Sequence, residues 1–213
     1  MVRVDELPLT LGPHPRGRYG AITDVEGVRV GHATIARGDL RTGVTAIVPD
    51  ALGPSRRRLP AGLSVGNGFG KLVGATQLVE LGALETPVLL TSTLSVFRVA
   101  DALVAHVLAR PGYEDVATLN PVVGETNDGH LSDVRARAVG AEHVEEALAS
   151  ASGGRVVEGC VGAGTGTTAL GYKGGIGTSS RLVELAGRTV TVGALVQSNM
   201  DGTPGALGYF QVR

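Results

Sequence analysis

The chain has 213 residues, of which 43% are hydrophobic and 18% charged, a composition that argues against disorder and fits one large domain. Its net charge of −1, from 19 basic and 20 acidic residues, offers no basic surface to nucleic acid or an anionic membrane. The N-terminus lacks the apolar core of a secretory signal, and no apolar run reaches the roughly 18 residues that span a bilayer. A single cysteine, Cys160, excludes an internal disulfide, so we expect a cytoplasmic protein.

The first elements along the chain are an arm and short strands. Residues 1–19 are rich in Pro, Gly and Arg and predict an extended arm, followed by a single domain over 20–213. β-rich runs bounded by Gly, Pro or Asp predict strands over 27–33, 43–48 and 63–66.

Helical periodicity follows. Apolar residues recur at helical spacing over 73–84, 94–110 and 141–151. The second of these is the strongest pattern, with Ser92 or Thr93 as its N-cap and Pro111-Gly112 as its stop. Two further strands are predicted over 154–161 and 188–197. Strands, helices and strands again do not alternate as βαβ units, so the pattern predicts an α+β fold with helices layered on sheets.

Glycine is the unusual component, with 33 residues, against four tyrosines, three phenylalanines and no tryptophan. The glycines are interleaved with Val, Ile, Leu and Thr, which favours sharp turns and close backbone approaches over low complexity. Cys160 lies in one such apolar, Gly-rich run, and we expect it to be buried.

Two Gly-flanked polar stretches lie in the first two-thirds of the chain. SVGNGFGK (64–71) places Asn67 between glycines, which predicts either a hairpin or Asx turn, or a close backbone approach to a site. NPVVGETNDGH (120–130) puts Glu125, Thr126, Asn127 and Asp128 at the end of an apolar run. A carboxylate there could hold a substrate ammonium, or the stretch could be a polar turn that caps a strand.

Two more stretches lie towards the C-terminus. GAGTGTTALGYKGGIGTSSR (162–181) suggests a phosphate loop, but the Gly-Lys-Ser/Thr order is absent after Lys173, which favours tightly packed backbone. GALVQSNMDG (193–202) ends an apolar strand in Gln197, Ser198 and Asn199. A side-chain amide at such a position is suited to donate to an oxyanion, and the alternative is a turn with Asn199 in the left-handed conformation.

No hydrolase triad assembles from this sequence. It contains no Gly-x-Ser-x-Gly elbow, and its five histidines have no metal-ligand spacing, so we expect neither a metal nor a cofactor. Pocket-like segments are present without an obvious base or nucleophile.

In this order, the segments resemble the L-aminopeptidase/D-Ala-esterase and β-peptidyl aminopeptidase family of self-processing N-terminal-nucleophile hydrolases. The resemblance runs through AITDVEGVRVGHATI, GVTAIVP, NGFG, ETPVLLTSTLSV, VVGETNDGHLSD, GTGTTALGYKGGIGTSSR and TVGALVQSN. It implies a four-layer α/β/β/α sandwich, shared with ornithine acetyltransferase. It also implies a precursor that cleaves itself ahead of a Ser or Thr, which becomes the nucleophile of a smaller β subunit, with its free α-amino group as a local base.

The resemblance assigns three site residues. Asn199, in Val-Gln-x-Asn, would form the oxyanion hole, and Glu125, in Glu-Thr-x-Asp-Gly, would bind the substrate's free amino group. Asn127 occupies the x position, where other members have a tyrosine or an asparagine near the scissile carbonyl. The chain departs from the family at Phe97 and Arg98, where Val-Gly usually continues.

The resemblance also implies partners. The chain stops at Arg213 without the Gly-Ser or Gly-Thr junction, which fits a processed α subunit or a truncated homologue. We expect a hetero-oligomer with the β subunit, a larger assembly of αβ units, and short peptides, amides or esters as substrates. An ornithine-type acetyltransferase and a non-catalytic protein of the same fold are the alternatives.

Overall fold

The computed structural model describes residues 12–202. The longer strands are β1 (Val28–Arg37), β2 (Leu40–Pro49), β6 (Val88–Ser92), β7 (Val122–Thr126), β10 (Gly175–Leu185) and β11 (Arg188–Ser198). Two-residue strands are β3 (Leu59–Pro60), β4 (Leu72–Val73), β5 (Ala83–Leu84), β8 (Thr168–Ala169) and β9 (Tyr172–Lys173). The helices are α1 (Ala75–Leu81), α2 (Val96–Leu108) and α3 (Ala141–Ala149), with 3₁₀ turns at Ile22–Asp24, Val134–Ala136 and Gly162–Gly164.

Five strands form the main sheet in the order β1-β2-β6-β7-β4. Neighbouring strands are antiparallel except for β6 and β7, which are parallel and connected through α2. The β1–β2 hairpin turns through Gly38 and Asp39, and Gly38 takes a positive φ of 50°, as tight two-residue hairpins require. The parallel pair brings the ends of β6 and β7 to one edge of the sheet.

Helices α2 and α3 cover one face of this sheet. Because side chains alternate along a strand, Ala33 and Ile35 of β1 face the helices and are buried with α2 residues such as Leu103. At Gly31 a Cβ would lie 2.0 Å from the carbonyl oxygen of Ala147 in α3. That glycine therefore lets α3 pack directly on β1.

The opposite face of the sheet carries polar contacts to the Gly162–Gly164 turn. Thr34 Oγ1 accepts from the backbone N–H of Gly162 at 2.8 Å, and Thr45 Oγ1 accepts from that of Ala163 at 3.1 Å. The long β10–β11 hairpin packs on this side, where Leu195 joins a small cluster with Val30. The helices, the five-stranded sheet and the β10–β11 hairpin thus lie one on another as successive layers of the described residues.

This architecture confirms the predicted α+β class. The predicted helices over 94–110 and 141–151 correspond to α2 and α3. The predicted strand over 27–33 overlaps β1, and those over 43–48 and 188–197 fall within β2 and β11. The helix over 73–84 is confirmed only at its centre, because α1 spans Ala75–Leu81 and lies between the short strands β4 and β5.

Three local predictions are wrong. Residues 63–66 form no strand, because no neighbouring strand pairs with them, and Val65 is 63% exposed. Residues 154–161 make only an isolated bridge from Gly159 to Ile176. The N-cap position of helix α2 is Ser95, whose side chain makes no capping hydrogen bond, and not Ser92 or Thr93, since Ser92 still belongs to β6.

Part of the predicted arm lies outside the described residues. From Gly12 onward the chain runs without helix or strand as far as Ile22 and lies beside β10, where the N–H of Leu182 donates to the carbonyl oxygen of Pro15 at 2.8 Å. Between residues 12 and 202, no helix has the length and apolar character needed to cross a bilayer.

Candidate active site

The polar stretch after β7 begins at the edge where the two parallel strands end. In the register of that pair, Glu125 lies opposite Thr91 and Thr126 opposite Ser92. The Glu125 side chain is only 5% exposed, so the carboxylate is almost enclosed while its strand fixes its position. A carboxylate in such a place needs donors or a cation beside it.

The 66–71 loop supplies both to Glu125. The backbone N–H of Lys71 donates to Oε1 at 3.0 Å, and the Lys71 ammonium lies 3.2 Å from the same oxygen. Gly70 approaches so closely that a Cβ there would lie 3.2 Å from Oε1. Asn67 Oδ1 accepts from the N–H of Phe69 at 2.8 Å, which confirms the Asx turn. The loop is therefore both a turn and a close approach to the site.

Gln197 joins the end of β11 to the end of β7. Its Nε2 donates to Oγ1 of Thr126 at 2.7 Å and to the carbonyl oxygen of Ala163 at 2.9 Å. One side-chain amide thus connects β7, β11 and the Gly162–Gly164 turn. It places the strand that leads into Asn199 next to the strand that carries Glu125.

Asn199 is half-buried one residue beyond β11. Its Oδ1 lies 3.4 Å from the backbone N–H of Thr168, within reach of a long hydrogen bond. Among residues 12–202, the non-glycine residues with positive φ are Arg137, Leu170 and Ala186, so Asn199 is not in the left-handed conformation that the turn alternative predicts. With Oδ1 directed to Thr168, Nδ2 is the group that can donate elsewhere.

Asn127 is exposed and forms its own Asx turn. Its Oδ1 accepts from the N–H of Gly129 at 2.9 Å, which bends the chain directly after Glu125 and Thr126. The strand-capping turn proposed for this stretch is therefore present alongside the enclosed carboxylate.

Asp128, next to Asn127 in this turn, anchors it to the end of β6. It is 1% exposed, and its Oδ1 accepts from Oγ of Ser92, itself 5% exposed, at 2.7 Å. The bond ties the chain after β7 to the last residue of β6. Gln197, Lys71, Ser92 and Asp128 therefore support the candidate site. All four lie within the sequence motifs quoted above, but the sequence alone did not indicate their contacts.

Lys173 has a structural role. Its ammonium donates to the carbonyl oxygens of Gly164, Thr167 and Gly174 at 2.9, 2.9 and 2.8 Å. At Gly166 a Cβ would lie 1.9 Å from the carbonyl oxygen of Arg41. The Gly-rich 162–181 stretch is therefore tightly packed backbone, and its lysine binds carbonyl oxygens instead of a phosphate.

A cavity of about 660 Å³ lies near the β1–β2 turn, and its lining does not include Glu125 or Asn199. Its lining includes Asp39, Arg41, His130, Cys160 and Lys173. Cys160 is exposed on the cavity wall, so its predicted burial is wrong, although the glycines that follow it are buried.

The sequence pattern of peptidase family S58 matches residues 20–210. The chain belongs to peptidase family S58. It is 41% identical over 199 residues to a β-peptidyl aminopeptidase, BapA, from Sphingosinicella microcystinivorans, a match that covers 88% of this chain and 49% of the relative. The chain therefore spans about half the length of that S58 relative.

Solved structures of related enzymes share its fold. A β-aminopeptidase from a Burkholderia species is 45% identical and superposes with a TM-score of 0.88, over 94% of this chain and 58% of that one. The L-aminopeptidase D-Ala-esterase/amidase of Ochrobactrum anthropi is 37% identical with a TM-score of 0.88 and the same coverages, 94% and 58%. The latter is described as a variant of the Ntn hydrolase fold, which this S58 chain shares over its described residues.

Proposed function

We propose that the chain is the larger, N-terminal α subunit of a self-cleaving aminopeptidase that removes N-terminal residues from short peptides, amides or esters. The observation that carries this proposal is the enclosed Glu125 carboxylate, linked through Thr126 and Gln197 to the strand that leads into Asn199. This contact between the ends of β7 and β11 supports a single site built from both motifs.

Glu125 recognises the free amino group of the substrate. Its side chain is 5% exposed, and a carboxylate in a nearly dry environment forms strong charge-assisted hydrogen bonds to an ammonium. The fixed end of β7 gives that ammonium a defined position. An N-terminal residue anchored there presents its carbonyl at a fixed distance from the anchor, as an aminopeptidase requires.

Asn199 stabilises the oxyanion, and the β subunit supplies the nucleophile. A Ser or Thr hydroxyl adds to the scissile carbonyl, and its proton passes to the free α-amino group of that same residue. The carbonyl oxygen, now an oxyanion, accepts from Nδ2 of Asn199, and the proton then leaves with the departing amine or alcohol. Water hydrolyses the acyl-enzyme by the reverse proton path. Asn127, with Oδ1 held by Gly129, offers Nδ2 as a second donor near the carbonyl.

The β subunit completes the sandwich. Within the described residues β10 and β11 pair with each other and with no other strand, apart from the isolated bridge from Gly159 to Ile176. Val192 and Val196 of β11 are 56% and 53% exposed. Isolated hairpins with an apolar surface are marginal in water, which supports further strands pairing here as the second sheet of a four-layer α/β/β/α sandwich. We also propose a larger assembly of αβ units, placed in the cytoplasm in keeping with a single cysteine.

Intact-mass measurement of protein expressed from the full-length precursor tests this proposal. Two polypeptides are expected, the second beginning with Ser or Thr, and an active preparation should contain both. The S58 membership and the named aminopeptidase relatives favour hydrolysis over the acyl transfer of an ornithine-type acetyltransferase. An uncleaved, inactive precursor would instead support a non-catalytic protein of this fold.

A further inference from the structure

The Glu125 carboxylate already has a cation beside it. The Lys71 ammonium lies 3.2 Å from Oε1 of Glu125, and the Lys71 backbone N–H donates to the same oxygen at 3.0 Å. Both contacts of Lys71 are made to Oε1 of Glu125. Lys71 therefore occupies one of the two carboxylate oxygens of Glu125.

The two partners differ in their freedom to move. The Lys71 side chain is 36% exposed, whereas that of Glu125 is 5% exposed. The lysine stem can therefore carry its ammonium into water, while the carboxylate stays at the end of β7. Gly66, Gly68 and Gly70 precede the lysine in a loop whose glycines allow it to change conformation.

A lysine ammonium and a substrate ammonium present the same chemistry, a compact cation with three N–H donors. On the proposed function, the substrate's amino group must bind the carboxylate on which Lys71 rests. The two like charges would then lie within a few ångströms of each other. They cannot share one carboxylate without repulsion.

We propose that Lys71 is a built-in competitor for the substrate amino group: it neutralises Glu125 in the empty site and is displaced when a free-amine substrate binds. This assignment rests on the proposed role of Glu125. Lys71 then sets how tightly the site binds small amines, and it protects a nearly buried carboxylate from standing unpaired between turnovers.

Lys71→Met tests the proposal, because methionine keeps a linear apolar stem and the backbone N–H bond to Glu125 but removes the ammonium. For a free-amine substrate, KM should fall about two- to fivefold with kcat little changed, as expected from losing a partly exposed ion pair that opposed binding. Arg188→Gln removes a cation from the exposed tip of the β10–β11 hairpin and should leave KM unchanged. Intact mass confirms that each variant is cleaved, and Lys71→Gln replaces Lys71→Met if cleavage fails.

The Glu125→Gln background separates this proposal from the proposed function. If Lys71 acts through the carboxylate, Lys71→Met should have no effect on KM in a Glu125→Gln enzyme. If Glu125→Gln raises KM but Lys71→Met leaves it unchanged or raises it, the competitor role is wrong and the amine-binding role stands. If Glu125→Gln itself leaves KM unchanged, the amine-binding role is wrong.

Discussion

The side-chain amide of Gln197 donates to Oγ1 of Thr126 across 2.7 Å, and this bond joins the strand that leads into Asn199 to the strand that carries Glu125. Gln197 also donates to the carbonyl oxygen of Ala163 at 2.9 Å. The Gln197 side chain therefore helps to set the distance between the proposed amine anchor, Glu125, and the proposed oxyanion donor, Asn199.

Gln197→Met should destabilise the protein and lower kcat. Methionine fills a similar volume but leaves Thr126 Oγ1 and the Ala163 carbonyl without their donor, which costs about 1–3 kcal/mol. Chemical denaturation measures the loss. Val79→Ala is the control, because that side chain in α1 is 63% exposed and its truncation should change stability by less than about 0.5 kcal/mol. Equal stabilities for the two variants would show that Gln197 does not hold the strands together.

Loss of Asn199 should affect the transition state more than substrate binding. In mature protein, Asn199→Ala should lower kcat by on the order of 10²–10³, about 2.7–4 kcal/mol, with a smaller change in KM. Cleaved enzyme must be used, because self-cleavage passes through its own tetrahedral oxyanion. A kcat within about threefold of the parent would remove Asn199 from the oxyanion hole, since such donors contribute far more than this.

Gly166 should tolerate no side chain. A Cβ there would lie 1.9 Å from the carbonyl oxygen of Arg41, so Gly166→Ala should shift packed backbone and cost at least about 1–3 kcal/mol. Gly153→Ala is the matched control, because nothing lies within 4 Å of a Cβ at that position. Thermal unfolding compares the two, and similar Tm values would contradict the tight packing of the 162–181 stretch.

His32 should make stability depend on pH. Burial lowers the pKa of His32 below its usual value of 6.5, and a hydrogen bond with the Val157 backbone, which acts in the opposite direction, does not cancel this. The unfolded chain then binds the proton more readily, so the stabilisation is complete above about pH 6.5 and is lost as the pH falls towards the lower folded pKa.

His32→Asn removes this titration while retaining a polar partner for Thr45, whose Oγ1 lies 3.0 Å from Nδ1 of His32. The fall in Tm between about pH 8 and about pH 5.5 should shrink in the variant, because asparagine does not titrate there. An unchanged fall would assign the pH dependence to other groups. The pKa of Asp24 does not interfere, since it is lowered from 3.8, where hydrogen bonds from Ser180 and the backbone outweigh the opposing effect of burial.

The parts of the fold that the sequence predicted are those whose pattern is local. Helix α2 buries one face, so its apolar spacing is visible in the sequence alone. Residues 63–66 carry a β-like composition but find no neighbouring strand, and strand formation depends on such a neighbour. Local sequence patterns therefore predicted the helix correctly and the strand incorrectly.

In the candidate site, likewise, the sequence predicted individual residues but not the contacts between distant segments. Glu125 and Asn199 could be singled out because each follows an apolar run of residues within its own motif. The contact of Lys71 with Glu125 spans 54 residues of sequence and that of Gln197 with Thr126 spans 71. Such contacts arise only from strand order and register, which a single motif does not contain.

The most direct test of the account is whether Glu125 recognises the substrate's amino group. Glu125→Gln keeps the shape of the side chain and removes its charge, so KM for free-amine substrates should rise by about ten- to a hundredfold, as expected for losing hydrogen bonds to a charged group. Self-cleavage should proceed normally, and Glu184→Gln, an exposed change near the tip of the β10–β11 hairpin, should leave KM unaltered. The decisive quantity is the ratio of kcat/KM for a free-amine substrate to that for its N-acetylated form. A ratio that falls sharply in Glu125→Gln supports the amine anchor, and an unchanged ratio would contradict it.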